Sequence, residues 1–294
     1  MLPQHTDFND HLHYKKLPST LRNFYIFEES NKVLHPPDHA AERTAKWKLG
    51  GNLSHASRLL EKISVAFLID VKDFLAQFWP RNFQGTQASN VVPWENLRSL
   101  TMTSELLRTS IKRIVITNLL TAACRAVAFM PKLEVLEIWN ATLIDGDPTV
   151  RGRPGTASVF RYEYKNQKST ITFSSNSVWL HKIVSEVLQG DVGMFWENLP
   201  RHGSGNQLTY TYEKIRKMDW CRTYPSVMER LKLQGHVLHE LSRCQMAFEN
   251  PIPREEDTEP NIEPAGTREA LVGMHTLQGT PLIPHPTHLV DRVG

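Results

Sequence analysis

The sequence predicts an α/β fold in which parallel strands repeat along the chain as an irregular solenoid, followed by a smaller α+β lobe. Three observations carry that expectation. An L-x-x-φ-x-φ pattern, with φ an apolar residue, recurs at Leu21/Phe24/Ile26, Leu60/Ile63/Val65, Leu97/Leu100/Met102 and Leu133/Leu136/Ile138, at separations of 39, 37 and 36 residues. Near-equal spacing marks stacked supersecondary units. Pro18, Pro93 and Pro131 precede three of the patterns by two to four residues, where a residue without an amide hydrogen suits a strand entry but not its middle. Helical stretches lead into the later patterns, so the strands run one way through crossover connections.

Taken in order, residues 1–16 are polar and His-rich and read as a flexible arm. Residues 17–150 hold the repeats. A single pattern means little, since Ile111/Ile114/Ile116 matches out of register; the recurrence carries the weight. Asn118 to Met130 places Leu119, Leu120, Ala123, Val127 and Met130 on one helical face, with Asn118 as the expected cap, and Asn52 to Leu60 does the same in miniature. Within each strand the φ positions point inward and the residues between them form the opposite face. That face comprises Asn23, Tyr25 and Phe27; Lys62, Ser64 and Ala66; Ser99, Thr101 and Thr103; Val135, Glu137 and Trp139. It is expected to be an open protein-binding surface; the competing expectation is that Tyr25, Phe27 and Trp139 are covered by the arm or the second lobe.

The units are leucine-rich-repeat-like but irregular. Their period exceeds the usual range of about 20 to 29 residues, and Glu29, Leu68, Glu105 and Ala141 stand where such repeats place a turn-bonding Asn. Regular spacing ends near Val150, and Arg151-Gly-Arg-Pro-Gly155 reads as a boundary. Residues 151–248 form the α+β lobe. Val159–Tyr164 and Ser169–Phe173 alternate as a hairpin about Lys165–Lys168, Val178–Gln189 is amphipathic, and Pro225 opens a helix reaching about Phe248. Residues 249–294 begin with six acids (Glu249, Glu255, Glu256, Asp257, Glu259, Glu263) among prolines, and are expected to be a largely disordered tail.

Composition excludes several function classes. With 40% apolar and 22% charged residues the chain has the balance of a folded globular protein. A net charge of +3, spread evenly, does not make a nucleic-acid surface. Cys124, Cys221 and Cys244 are far apart and odd in number, which fits reduced thiols of the cytoplasm or nucleus. No window approaches a membrane span, and the N-terminus lacks a signal-peptide pattern.

No motif argues for catalysis or a cofactor. Cys221, His236, His239 and Cys244 offer zinc-type ligands at a poor spacing, and His5, His11 and His13 form a loose cluster. Asp145-Gly-Asp147 has the letters of a divalent-ion carboxylate pair but reads as an acidic turn. Gly203-Ser-Gly205 lacks nucleophile-elbow spacing, and phosphate-binding glycine loops are missing. No catalytic residue, metal or cofactor is expected. The rival class is a small-molecule enzyme with its site between the two lobes.

At Leu60-Glu-Lys-Ile-Ser-Val-Ala-Phe-Leu-Ile-Asp70, Trp94-Glu-Asn-Leu-Arg-Ser-Leu-Thr-Met-Thr-Ser104 and Met130-Pro-Lys-Leu-Glu-Val-Leu-Glu-Ile-Trp-Asn140, the chain resembles filamentous-fungal F-box proteins with a domain of unknown function, from about Leu17 to Phe248. The resemblance implies that the repeats select a protein client for a cullin ubiquitin ligase, whose adaptor subunit an F-box would dock. Sixteen residues before the first repeat are too few for an F-box, so that part is expected to be missing here and the adaptor to bind only a longer form.

Overall fold

The computed structural model describes residues 17–28, 39–83, 91–109, 111–141, 157–200, 208–215, 227–228 and 230–232, with side chains of the first helix from Trp47 onward. The chain divides into two compact units, Met1–Ile252 and Pro253–Gly294, and every described residue belongs to the first. The arm, the 151–155 boundary, most of the helix expected from Pro225 and the acidic tail lie outside the described residues.

Among the described residues, seven strands form one sheet in chain order: β1 (Asn23–Phe27), β2 (Lys62–Ala66), β3 (Ser99–Thr103), β4 (Val135–Ala141), β5 (Ala157–Lys165), β6 (Lys168–Ser175) and β7 (Leu208–Lys214). β1 to β4 are mutually parallel, β4–β5 and β5–β6 are antiparallel, and β6–β7 is parallel. The fold is therefore a mixed, mostly parallel α/β arrangement.

The repeated patterns fall into register without a slip. Phe24, Ile63, Leu100 and Leu136 form one cross-strand row, and Ile26, Val65, Met102 and Ile138 the next but one. A shared local device fixes that register. The amide of each leading leucine donates to the carbonyl three residues earlier: Leu21 to Pro18 at 2.9 Å, Leu60 to Ser57 at 3.1 Å, Leu97 to Trp94 at 3.4 Å and Leu133 to Met130 at 3.0 Å. Each strand thus begins with the same turn, and the period-2 alternation carries the alignment onward.

A sheet that grows in one direction through right-handed crossovers puts its helices on one face. Helices α1 (His39–Ala56), α2 (Val71–Phe74), α3 (Arg113–Val127), α4 (Val178–Leu188) and α5 (Asp191–Glu197) do so. Leu49, Leu53, Phe74, Leu119, Leu180 and Trp196 join Ile63, Val65, Leu100, Met102, Leu136 and Ile138 in one buried cluster. Burial of that apolar face drives folding.

Several boundaries differ from the sequence reading. Helix α3 starts at Arg113, flanked by Lys112 in extended conformation with no side-chain cap, so Asn118 sits inside the helix instead of capping it. Asn52 likewise lies within α1, which ends at Ala56 before a 3₁₀ turn, Ser57–Leu59. In both cases packing extends the helix beyond the residue with cap chemistry. The hairpin forms as expected but longer. Its connection is Asn166-Gln167, both left-handed at φ 52° and 61°, the geometry that matches the twist of a two-residue hairpin. Ser177 caps α4 by accepting from the Leu180 amide at 3.2 Å. Strands on the two sides of the boundary expected at residue 150 share the sheet, β4 pairing β5 from Val135↔Glu163 to Ala141↔Ala157.

Candidate functional site

The structure brings the expected strand-face residues together. Tyr25, Ser64, Thr101 and Glu137 lie in one cross-strand row, Asn23, Lys62, Ser99 and Val135 in a second, and the Phe27–Ala66 and Thr103–Trp139 pairs in a third. The face is not open, and that expectation is corrected. Ser64, Ala66, Ser99, Thr101, Thr103, Glu137 and Trp139 are buried, and Phe27, Lys62 and Val135 are half-buried. Asn23 and Tyr25 keep substantial exposure.

The cover comes from the C-terminal side, so the competing expectation is met by Trp139 and in part by Phe27, but not by Tyr25. Val227, Met228 and Leu231 pack with Trp139 and Val159 in a second apolar cluster. A buried charge fastens them. Glu137 accepts from Arg161 Nε at 2.7 Å, from the Thr101 hydroxyl at 3.2 Å and from the Lys232 amide at 2.9 Å, while Arg161 also donates to the Arg230 carbonyl. A fully buried carboxylate is tolerable only with such a complete set of donors. Glu137 therefore acts as a lock between the sheet and residues 230–232, not as a client-facing group.

Asp70 sits beyond the carboxyl end of β2, where α/β sheets commonly hold ligands. Its oxygens are already engaged: the Lys72 amide donates at 2.8 Å, the Ser104 hydroxyl at 3.0 Å and the Glu105 amide at 2.7 Å. Burial pushes its carboxyl up to about 6, partly opposed by those bonds. Asp70 caps α2 and ties the β2 and β3 loops together. Cys124 is buried, which raises its thiol to about 12 and makes it unreactive. Among the described residues no three His, Cys, Asp or Glu side chains are grouped to hold a metal. Cys221, His236, His239, Cys244, the Asp145/Asp147 pair and the N-terminal histidines lie outside the described residues. No helix among the described residues is long and apolar enough to cross a membrane.

The feature that sequence reasoning missed is the β7 edge. Leu208-Thr-Tyr-Thr-Tyr-Glu-Lys214 alternates with strand-favouring residues, so a strand was legible there; its place at the end of the sheet was not. The Ile215 amide donates to the Ser175 carbonyl on β6 at 2.9 Å. Alternation then turns the backbone groups of Thr209, Thr211 and Glu213 toward β6 and those of Leu208, Tyr210, Tyr212 and Lys214 outward. Thr209 and Thr211 through Lys214 are exposed.

Beside this edge lies a cleft of about 310 Å³ lined by Ser175, Asn176, Val178, His181, Tyr212 and Lys214. His181 Nε2 meets the Ser175 carbonyl at 3.0 Å, and its ring packs edge-on against Phe173 at 5.3 Å. Val178 is 74% exposed and Tyr212 40%. Helix α5 overlies the other end of the strand: the Tyr210 hydroxyl donates to the Gly193 carbonyl at 3.4 Å and lies 3.3 Å from Glu197. Burial, then Glu197, raises the Tyr210 phenol well above its ordinary value. An outward-facing backbone beside a cleft with apolar walls is suited to taking up an extended polypeptide.

No curated protein and no solved structure matches this chain. A family model does match, over residues 16–239, and it spans all seven strands and the cover at 227–232. On that match the chain belongs to DUF6546, a family of unknown function.

Proposed function

We propose that this chain is a non-enzymatic protein-recognition domain that docks an extended segment of its partner on the β7 edge, with a side chain in the adjoining cleft. The observation that carries this reading is the outward backbone of Leu208, Tyr210, Tyr212 and Lys214 next to exposed Val178 and Tyr212. Sheet edges that long are normally blunted, because unpaired amides and carbonyls template another strand. The surface first expected, from Asn23 to Trp139, is largely taken up by internal packing, which moves the docking role to the free end of the sheet.

Four strand-entry turns that share one hydrogen bond, together with helices on one face, support a leucine-rich-repeat-like, solenoid reading of β1 to β4. The resemblance to F-box proteins supports a role in client selection for a cullin ubiquitin ligase in the cytoplasm or nucleus.

The test is site-specific photo-crosslinking in cells. A photoreactive phenylalanine analogue replacing Tyr212 is expected to yield polypeptide adducts, and the same analogue replacing exposed Tyr25 to yield few. Adducts from position 25 with none from 212 would reject the β7 edge as the docking site.

A further inference from the structure

Building on the reading of β7 as a docking edge, we infer that its occupant is the β7 strand of a second copy of this chain, paired antiparallel about a two-fold axis through Thr211. The outward residues are the even-numbered ones, so a symmetric antiparallel pair must oppose even to even in its hydrogen-bonded positions. Opposing Tyr210 to Tyr212 and Leu208 to Lys214 meets that condition and pairs all seven residues of β7. Thr211 then faces its own symmetry mate, and Thr209 faces Glu213.

Side-chain chemistry agrees with this register. Tyr212 pairs with Phe173, and Tyr210 with Ile171, in the sheet register, which puts both tyrosines on the helix-bearing side. Two symmetric Tyr210–Tyr212 contacts would form there, and cross-strand aromatic pairs stabilise antiparallel ladders. On the other side the Thr209 hydroxyl can donate to the Glu213 carboxylate of the second copy. The two charged residues of the strand, Glu213 and Lys214, each meet an uncharged residue, so no like charges are opposed.

The uncharged run from Leu208 to Tyr212 also needs an explanation. Natural edges carry charges or proline along their length to prevent pairing, whereas β7 has none until its last two positions. An edge left in that state fits a partner always present at equal concentration, and another copy of the chain meets that requirement.

The experiment uses the full chain. Light scattering after size exclusion, at tens of micromolar, is expected to give twice the 33.7 kDa of one chain. Thr209→Glu places like charges opposite each other twice and is expected to weaken the dimer about tenfold, whereas Thr209→Lys should hold or tighten it. Thr209 is exposed, so both variants should fold, and a circular dichroism spectrum matching wild type checks that they do. The register has its own probe. Thr211→Cys should form an intermolecular disulfide under mild oxidation, since non-hydrogen-bonded partners lie about 4.5 Å apart, while Thr209→Cys and wild type should not. A monomeric wild-type mass, or a dimer insensitive to Thr209→Glu without Thr211→Cys crosslinking, would overturn the inference. A monomer that still crosslinks other polypeptides from position 212 would reject the second copy as occupant while leaving the docking edge standing.

Discussion

Glu137 was expected to meet a client and instead meets the protein itself. In the extended β4 it alternates with Leu136 and Ile138, so residue periodicity placed it on the correct face. What sequence could not supply was the distance partner, Arg161 on β5, or the amide of Lys232. Removing the carboxylate leaves the Arg161 guanidinium buried without its counter-charge. Glu137→Ala should therefore cost about 3–5 kcal/mol of stability, read as a lower urea midpoint, together with loosening of residues 230–232 to proteolysis. A change below about 1 kcal/mol would show that the lock has been misassigned.

Asp70 gives the second residue-scale expectation. Its folded value of about 6 lies above the ordinary 3.8, so the folded chain holds this proton between those two pH values and the unfolded chain does not. Stability from this group is therefore greatest at low pH and declines as pH rises from about 4 to about 6. At a partly exposed site the loss is on the order of 1–2 kcal/mol after solvent screening. Urea titrations of wild type and Asp70→Asn should show wild type losing more between pH 4 and 7; parallel losses would contradict the assignment.

At the scale of elements, strands with repeated patterning were the most legible. Each of the four evenly spaced patterns became a strand in the expected register, the out-of-register match at Ile111 fell at the start of α3, and the Asn166-Gln167 hairpin and Ser177-capped α4 followed local chemistry. Helix starts were less legible because tertiary contacts decide them: α3 begins five residues before Asn118. The short helices α2 and α5 went unread, since four and seven residues leave no room for a clear period. Helix α5 depends on a close approach instead. A Cβ at Gly193 would fall 1.8 Å from the Leu188 carbonyl oxygen, whereas one at Gly51 would meet nothing within 4 Å. Gly193→Ala should thus destabilise by about 1–3 kcal/mol, while Gly51→Ala in the α1 interior should stabilise by about 0.5–1 kcal/mol. Paired thermal melts check both signs, and equal effects would remove the packing argument.

Across the whole molecule, the amino-acid pattern was enough to set the parallel order of β1 to β4, their inward rows and the helical layer behind them. These follow from chain-local causes: apolar periodicity, a repeated entry turn and the handedness of crossovers. Tertiary structure alone decided the fate of the opposite face and the identity of the free edge. Whether a strand face is open depends on which distant segment crosses it, and here Val227, Met228, Leu231 and Lys232, about ninety residues beyond Glu137, cover most of it. The position of β7 is equally non-local, because among the described residues it is an edge only by virtue of where the sheet stops growing. No alternation within Leu208–Lys214 encodes that end; it is a property of the assembled sheet.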